Sequence, residues 1–205
     1  MALIKLNNQG VKNATAIGSI TALGSMIFIK KLTASASATL SFVDGSGGVD
    51  FTSYKEYVFT FNNIHPSATS YFQFNASVDT GSNYNVTKTT TAFYALHKED
   101  DETGFAYSTG SDLAQGTGVQ KLITGELDSG NADDNLGGYL HLFNPSSTVQ
   151  VKHFISNINY SNNSPGSENS YIAGYMNTTS AVDAIQFSQS SGNIDAGDIC
   201  LYGIA

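Results

Sequence analysis

Short runs with a period of two dominate the sequence, and they restrict the fold more than any other feature. Aromatic and β-branched residues recur in these runs, and Gly, Ser, Asn or Asp separates one run from the next. Tyr57, Phe59 and Phe61 occupy alternate positions of one run, which places three rings on one face of a strand. The pattern predicts about twelve strands, over residues 25–32, 38–43, 54–64, 70–78, 91–97, 104–109, 118–125, 137–143, 149–160, 170–176, 183–191 and 198–204.

The spacing of these runs favours antiparallel sheets. Turn sequences such as DGSGG at 44–48 and NPSS at 144–147 separate strand-sized segments, as is typical of sandwiches and jelly rolls. Parallel strands need helical crossovers, and no segment beyond residue 24 shows sustained helical periodicity. A chain of 205 residues can fill one core. We therefore predict one all-β domain over residues 25–205, an antiparallel jelly roll or β-sandwich.

Residues 1–24 differ in kind from the rest. They carry isolated aliphatic residues and little charge, so the segment cannot bury enough surface to fold alone. We expect an extended N-terminal attachment arm that orders against a partner; a loose terminal tail is the alternative. The expected partner contacts are the apolar residues Leu3, Ile4, Leu6, Val11, Ile17, Ile20 and Leu23.

Charge and hydropathy exclude two classes of partner. All nine positive residues are Lys, and seventeen carboxylates bring the formal net charge to −8. Arg is preferred for bidentate phosphate contacts and nucleic-acid binding leaves a basic surface, so we expect no nucleic-acid partner. No apolar run reaches the length of a membrane span, and the N-terminus lacks the apolar core of a signal peptide. We expect no membrane association, synthesis in the cytoplasm, and release by lysis.

Two acidic segments are candidates for binding Ca²⁺. They are KEDDETG at 98–104 and GELDSGNADDN at 125–135. Ca²⁺ takes six to eight oxygen ligands, which clustered carboxylates and amides can supply. The spacing does not match an EF-hand loop, so a solvated acidic surface is the alternative. We predict no other cofactor.

Candidate catalytic residues are few. His65 precedes a proline, which favours extended geometry, and we interpret it as a corner residue where the aromatic strand ends. Glycoside hydrolysis needs two carboxylates at a defined separation, and the acids to test are Glu56, Asp133 and Asp134. Glu56 is predicted to be an outward-facing charge at a strand start. Cys200 is the only cysteine and is predicted to be a small buried residue of the last strand. We predict that the protein is not an enzyme.

Tyrosine is the residue type that points most directly to a ligand. The chain has eleven Tyr, twelve Phe and no Trp. Tyr rings with amides around them are typical of sugar-binding surfaces. Five tyrosines are candidates for a glycan-binding face, but capping of sandwich edges or filling of subunit interfaces is the interpretation we favour for them: Tyr84, Tyr107, Tyr160, Tyr171 and Tyr175.

Several long segments resemble a family of known proteins. They are MALIKLNNQ at 1–9, YKEYVFTFNNIHP at 54–66, LHLFNPSSTVQVKHFISNINY at 140–160 and YIAGYMNTTSAVDAIQFSQSSGNIDAGDICLYGI at 171–204. Together they are similar to a group of virion structural proteins of marine tailed phages, described as tail-fibre or decoration proteins. The resemblance covers most of the chain from about residue 25 onward, and separately the opening segment.

This resemblance implies a function in the virion. It implies an attachment arm that mounts on a capsid or tail and a jelly-roll domain that projects outward. The sequence shows no triple-helical shaft or long β-helix repeat, so a short knob or cement protein fits better than a long fibre. We expect a capsid decoration or short head-fibre protein that contacts the major capsid protein or other virion proteins. We also expect a homo-oligomer, with a trimer favoured; the alternative is a tail-fibre or receptor-binding module for host cell-surface glycan.

Overall fold

The protein is a β-sandwich of two antiparallel sheets, as the sequence predicts. A computed structural model describes residues 25–162 and 165–205. The predicted arm, residues 1–24 with its seven apolar contact residues, lies outside the described residues. In the part of the chain that the structure describes, no helix is long and apolar enough to cross a membrane.

Twelve strands occur in the described residues, close to the predicted positions. In chain order they are β1 Met26–Thr33, β2 Thr39–Val43, β3 Glu56–Pro66, β4 Phe72–Ser77, β5 Lys88–Lys98, β6 Thr103–Tyr107, β7 Gln120–Lys121, β8 Leu136–Phe143, β9 Lys152–Ser161, β10 Gly166–Met176, β11 Ala184–Gln189 and β12 Ile194–Ile204.

Eight of these strands form one sheet and four form the other. The large sheet has the order β1-β12-β3-β8-β9-β10-β5-β6, and the small sheet has the order β2-β11-β4-β7. Every pair is antiparallel, and β8, β9 and β10 follow one another as a meander. β1 and β6 are therefore the edge strands of the large sheet.

An aromatic core joins the two sheets. Tyr57, Phe59 and Phe61 all point inward from β3, as their alternation predicts, and each is at most 1% exposed. Phe187 of the small sheet lies among them, with its ring centroid 5.2 Å from that of Phe59 and 5.3 Å from that of Phe61. Phe74 packs edge-on against Phe154 of β9. The core therefore lies where β3, β8 and β9 face the small sheet.

The segment 118–125 differs from its prediction. Only Gln120–Lys121 pairs as a strand, and the following residues form a loop that closes the core. Leu122 and Ile123 are fully buried in that loop. Its apolar residues therefore cover the space between the sheets rather than alternate along a strand, which local pattern does not distinguish.

Candidate functional site

The outer face of the large sheet carries most of the exposed apolar residues. Nine large apolar side chains are exposed among the described residues, and six of them project outward from this sheet. The strand registers place all six on the same side of the sheet, which is the side that faces away from the core. We call this surface the aromatic face and define it by the six exposed residues Met26, Phe28, Phe105, Tyr107, Tyr139 and Ile155.

Ring contacts organise both ends of the aromatic face. At one end Phe93 and Tyr171 stack across β5 and β10 with ring centroids 4.9 Å apart, and Phe105 lies 5.7 Å from Phe93. At the other end Phe28 and Tyr202 make an edge contact at 5.7 Å. These pairs hold the rings in fixed positions across neighbouring strands, although the face is open to solvent.

A shallow apolar depression lies on the same face. It has a volume of about 480 Å³ and is lined by Thr91 of β5, Ala173 of β10 and Ile155 of β9, which are direct neighbours in the strand register. Tyr175 and His153 bound it, with ring centroids 6.1 Å apart. The small side chain of Ala173 between Tyr171 and Tyr175 leaves this space.

The strands of the aromatic face carry few carboxylates at outward positions. In the paired registers of the large sheet, Glu56 and Asp198 are the two carboxylates at outward positions. Glu56 Oε2 lies 3.1 Å from His141 Nε2. Asp198 accepts hydrogen bonds from Thr33 Oγ1 at 2.5 Å and Lys31 Nζ at 3.1 Å, and these bonds lower its pKa. The prediction that Glu56 faces outward at a strand start is confirmed.

The structure does not bring the five predicted tyrosines onto one surface. Tyr107, Tyr171 and Tyr175 project from the aromatic face, whereas Tyr160 points into the core and is 2% exposed. Tyr84 lies in the loop between β4 and β5, where its carbonyl accepts a hydrogen bond from Asn75. The prediction of Tyr160 as an exposed platform is wrong, because the alternation of β9 turns it inward.

Tyr160 instead belongs to a buried polar network. Its hydroxyl accepts a hydrogen bond from the Gly125 amide at 2.6 Å and lies against Glu168, which is 3% exposed. Thr124 and Asn162 donate side-chain hydrogen bonds to the two oxygens of Glu168. Burial raises the pKa of Tyr160 far above its usual range, and the adjacent carboxylate adds to the shift.

A polar pocket lies beside this network. It has a volume of about 490 Å³ and is lined by Glu168, Thr124, Tyr94, Lys98 and the segment 108–110, among other residues. Lys98 Nζ donates to Glu102 at 2.7 Å. A ring, hydroxyl groups and a carboxylate around one pocket can hydrogen-bond and stack against a polyhydroxylated ligand.

The two acidic segments meet at one end of the sandwich. Glu99 and Asp128, Asp133 and Asp134 line a common pocket of about 670 Å³. Asp128 Oδ1 already accepts hydrogen bonds from Thr69 Oγ1 and from two amides of its own loop. Among residues 25–162 and 165–205, no group of three acidic, His or Cys side chains is arranged to hold a metal ion. Ca²⁺ binding stays a prediction.

Of the remaining sequence candidates, His65 and Asp133 line a common pocket, whereas Glu56 lies apart from them. His65 stands next to Pro66, the last residue of β3, as predicted, and its Nε2 lies 3.2 Å from the Asn131 carbonyl. Glu56 pairs with the C-terminal end of β8, whereas Asp133 and Asp134 precede its first residue, Leu136. Those two ends are roughly 24 Å apart, beyond the separation of glycosidase carboxylates.

Cys200 is buried in β12 as predicted.

Comparison of the chain with models of protein families, with curated proteins and with solved structures finds no match. The resemblance to phage virion proteins therefore stays a prediction, and a functional assignment has to rest on the geometry of the molecule.

Proposed function

We propose that this chain is a virion structural protein of a tailed phage, a capsid decoration protein or short head-fibre knob held by its N-terminal arm. The observation that supports this most strongly is the aromatic face. Six exposed large apolar residues lie on one broad sheet face of a chain with a net charge of −8. Exposed apolar residues gathered on one face mark protein interaction sites, and Tyr, Phe and Met are enriched at the centres of such sites.

The proposed mechanism is assembly rather than chemistry. Residues 1–24 lay their apolar side chains on the major capsid protein or another virion protein and add main-chain hydrogen bonds to an exposed sheet edge. Many copies on one particle then combine weak contacts through avidity. The protein is assembled into virions in the host cytoplasm, released by lysis, and acts without catalysis.

Co-sedimentation tests this proposal. The full-length chain and a variant lacking residues 1–24 are mixed with expanded capsids without decoration protein, and separately with tails, of the phage that encodes the chain. We expect the full-length chain to pellet with capsids and the truncated chain to stay in the supernatant. Binding to tails alone supports a tail-fibre protein instead, and binding to neither overturns the proposal.

A second candidate function is recognition of host cell-surface glycan. The polar pocket beside Glu168 favours it, because Tyr94, Thr124 and a carboxylate converge there. A glycan array and host lipopolysaccharide are suitable probes. Binding by the full-length chain that is lost in Tyr94→Ala and retained in Tyr84→Ala, a tyrosine outside the pocket, supports this function. No binding to any glycan removes it.

A further inference from the structure

We infer that the aromatic face is covered by a second copy of this chain. The inference rests on the proposed structural role and names the partner at one surface. Its basis is the size of the face, the distribution of charge around it and the shapes that it presents.

The face is large enough for a stable interface. The large sheet has eight strands. With strands about 4.8 Å apart and about 3.4 Å per residue, eight strands of about eight residues cover roughly 34 by 27 Å, or about 900 Å². A specific protein interface of standard size buries about 800 Å² on each partner. One further copy placed against the sheet therefore suffices to cover the apolar residues.

The distribution of charge favours a copy over a basic partner. Each chain carries a net charge of −8, so two copies repel one another at most orientations. On the aromatic face the two carboxylates of the paired registers, Glu56 and Asp198, lie next to His141 and Lys31. A basic partner would find no row of unpaired carboxylates there, whereas a second aromatic face is matched in charge and hydropathy. The acidic residues 99–102 form the turn between β5 and β6, and Asp101 Oδ1 lies 3.1 Å from Nε2 of His97, an outward residue of β5.

The face presents both a protruding ring and a depression. Phe105 is 74% exposed and stands on the edge strand β6. The depression over Ala173 is apolar and has a volume of about 480 Å³, enough for one aromatic side chain. When two copies pack face to face, a protruding ring of one copy can fill the depression of the other. Closed symmetric association of this kind is the commonest form of homo-oligomer.

The experiment measures mass in solution for the full-length chain and matched variants. Ile155→Glu places a carboxylate at the centre of the face, and Phe105→Ser removes the protruding ring. Val149, in the loop between β8 and β9, is 80% exposed, so Val149→Glu and Val149→Ser are matched controls. Sedimentation equilibrium is run from micromolar to hundreds of micromolar, and circular dichroism checks that every variant is folded.

We expect the unaltered chain and both Val149 variants to have a mass at least twice the 21.7 kDa of one chain. Ile155→Glu should raise the dissociation constant at least about 30-fold, and Phe105→Ser should raise it by less. A dimer that responds in this way supports the inference with face-to-face packing, and a trimer that responds supports coverage of the face by another copy through a head-to-tail contact. A monomer at every concentration overturns it, and so does an oligomer that both face variants leave unchanged.

Capsid binding separates this inference from the proposed function. If Ile155→Glu is monomeric and still sediments with capsids through residues 1–24, both the self-association and the assembly role are supported. If the unaltered chain is monomeric and Ile155→Glu loses capsid binding, the face contacts a capsid protein and the second copy is overturned, while the assembly role stands. Self-association without binding to any virion component overturns the assembly role alone.

Discussion

The two outer faces of the sandwich differ in what covers them. On the small sheet the outward residues include hydroxyls and amides that bond across strands: Gln186 Nε2 donates to Ser41 Oγ at 3.0 Å, and Gln73 Nε2 donates to Ser188 Oγ at 3.2 Å. On the large sheet the outward residues include Phe105, Ile155 and other exposed apolar side chains. A polar ladder of this kind is compatible with water, whereas the aromatic face exposes surface that water disfavours.

The two outer faces therefore differ in how much free energy each would gain from being covered by a partner. On the small sheet the outward polar groups bond to one another or, as Asn75 does, to Lys88 and loop carbonyls, so this face needs no partner to be stable in water. The large sheet gains free energy when its rings are buried, at roughly 25 cal/mol for each Å² removed from water. Substitutions on and between the two faces test this comparison.

The largest effect is expected where the two sheets join. Phe187→Ala removes a fully buried ring that contacts Phe59 and Phe61. We expect it to lower the free energy of unfolding by about 3–5 kcal/mol, because the transfer free energy is lost and a cavity is left. Urea denaturation at a low protein concentration measures this change.

Phe105→Ala is the matched control for that substitution, since the same ring is removed from the open face. Its expected cost is below about 1 kcal/mol, because the ring is already in water in the monomer. Equal losses in the two variants would contradict the distinction between a buried inner layer and an open outer face.

A lysine on the inner side of the large sheet gives the next largest effect. Lys88 is fully buried, donates to Asn75 Oδ1 at 2.5 Å and the Val86 carbonyl at 2.7 Å, and burial lowers its pKa to about 8. The pKa is lower in the folded state than in the unfolded state, where the ordinary value is 10.5. The unfolded chain therefore binds more protons between these values, and stability rises as the pH increases through this window.

Lys88→Met should abolish that rise. The difference in unfolding free energy between the unaltered chain and the variant should change by about 3 kcal/mol or less across the window. Lys31→Met, which alters an exposed lysine at the edge of the aromatic face, should keep the rise. Urea denaturation at several pH values measures all three proteins. Parallel curves for the unaltered chain and Lys88→Met would show that the buried amine does not titrate there.

The fold was largely predictable because strand existence depends on local pattern. The alternation of Tyr57, Phe59 and Phe61 fixes the inner face of β3 whatever its neighbours are. Residues 118–125 were not predictable, since Leu122 and Ile123 are buried by the gap between two sheets rather than by a strand of their own. Their burial depends on contacts distant in sequence, and a local window does not contain these contacts.

The candidate surface was only partly predictable. The sequence suggests that Tyr107, Tyr171 and Tyr175 lie on one face of the sheet. Whether they do depends on the pairing register of β5 with β6 and β10, which the sequence does not give. Tyr160 lies on β9, where alternation alone does not say which phase faces inward. The sequence did contain a signal for Tyr171 and Tyr175. The segment SYIAGYM of β10 has apolar residues at both odd and even positions, which indicates a strand that is covered on both of its faces.

A smaller effect is expected on the outer face of the small sheet. Gln186→Ala removes the donor to Ser41 and should cost about 1 kcal/mol in unfolding free energy. Replacing both residues by Val should be nearly neutral, because no buried polar group is left unpaired and Val suits a strand.

The double Val variant also sharpens the comparison between the faces. It makes part of the small sheet apolar, so its oligomeric mass tests whether isolated apolar residues are sufficient for association. We expect an unchanged mass by sedimentation equilibrium, because two Val side chains do not form a patch with the extent of the aromatic face. A higher mass would show that exposed apolar area, rather than the arrangement of rings, controls association.

The smallest effect is expected on adding Ca²⁺, whose candidate site lies at the acidic end of the sandwich rather than on either outer face. Asp128 is engaged by its own loop, and hydrogen bonds to its oxygens lower its pKa. A Ca²⁺ site with a dissociation constant weaker than about 1 mM adds less than about 0.4 kcal/mol at 1 mM ion, or roughly 1 °C in Tm for a domain of this size. We expect Ca²⁺ and Mg²⁺ at equal concentration to give Tm values within about 1 °C of each other, measured by calorimetry. A Ca²⁺-specific increase of several degrees that Asp133→Asn or Asp134→Asn removes would instead establish a calcium site where the two acidic segments meet.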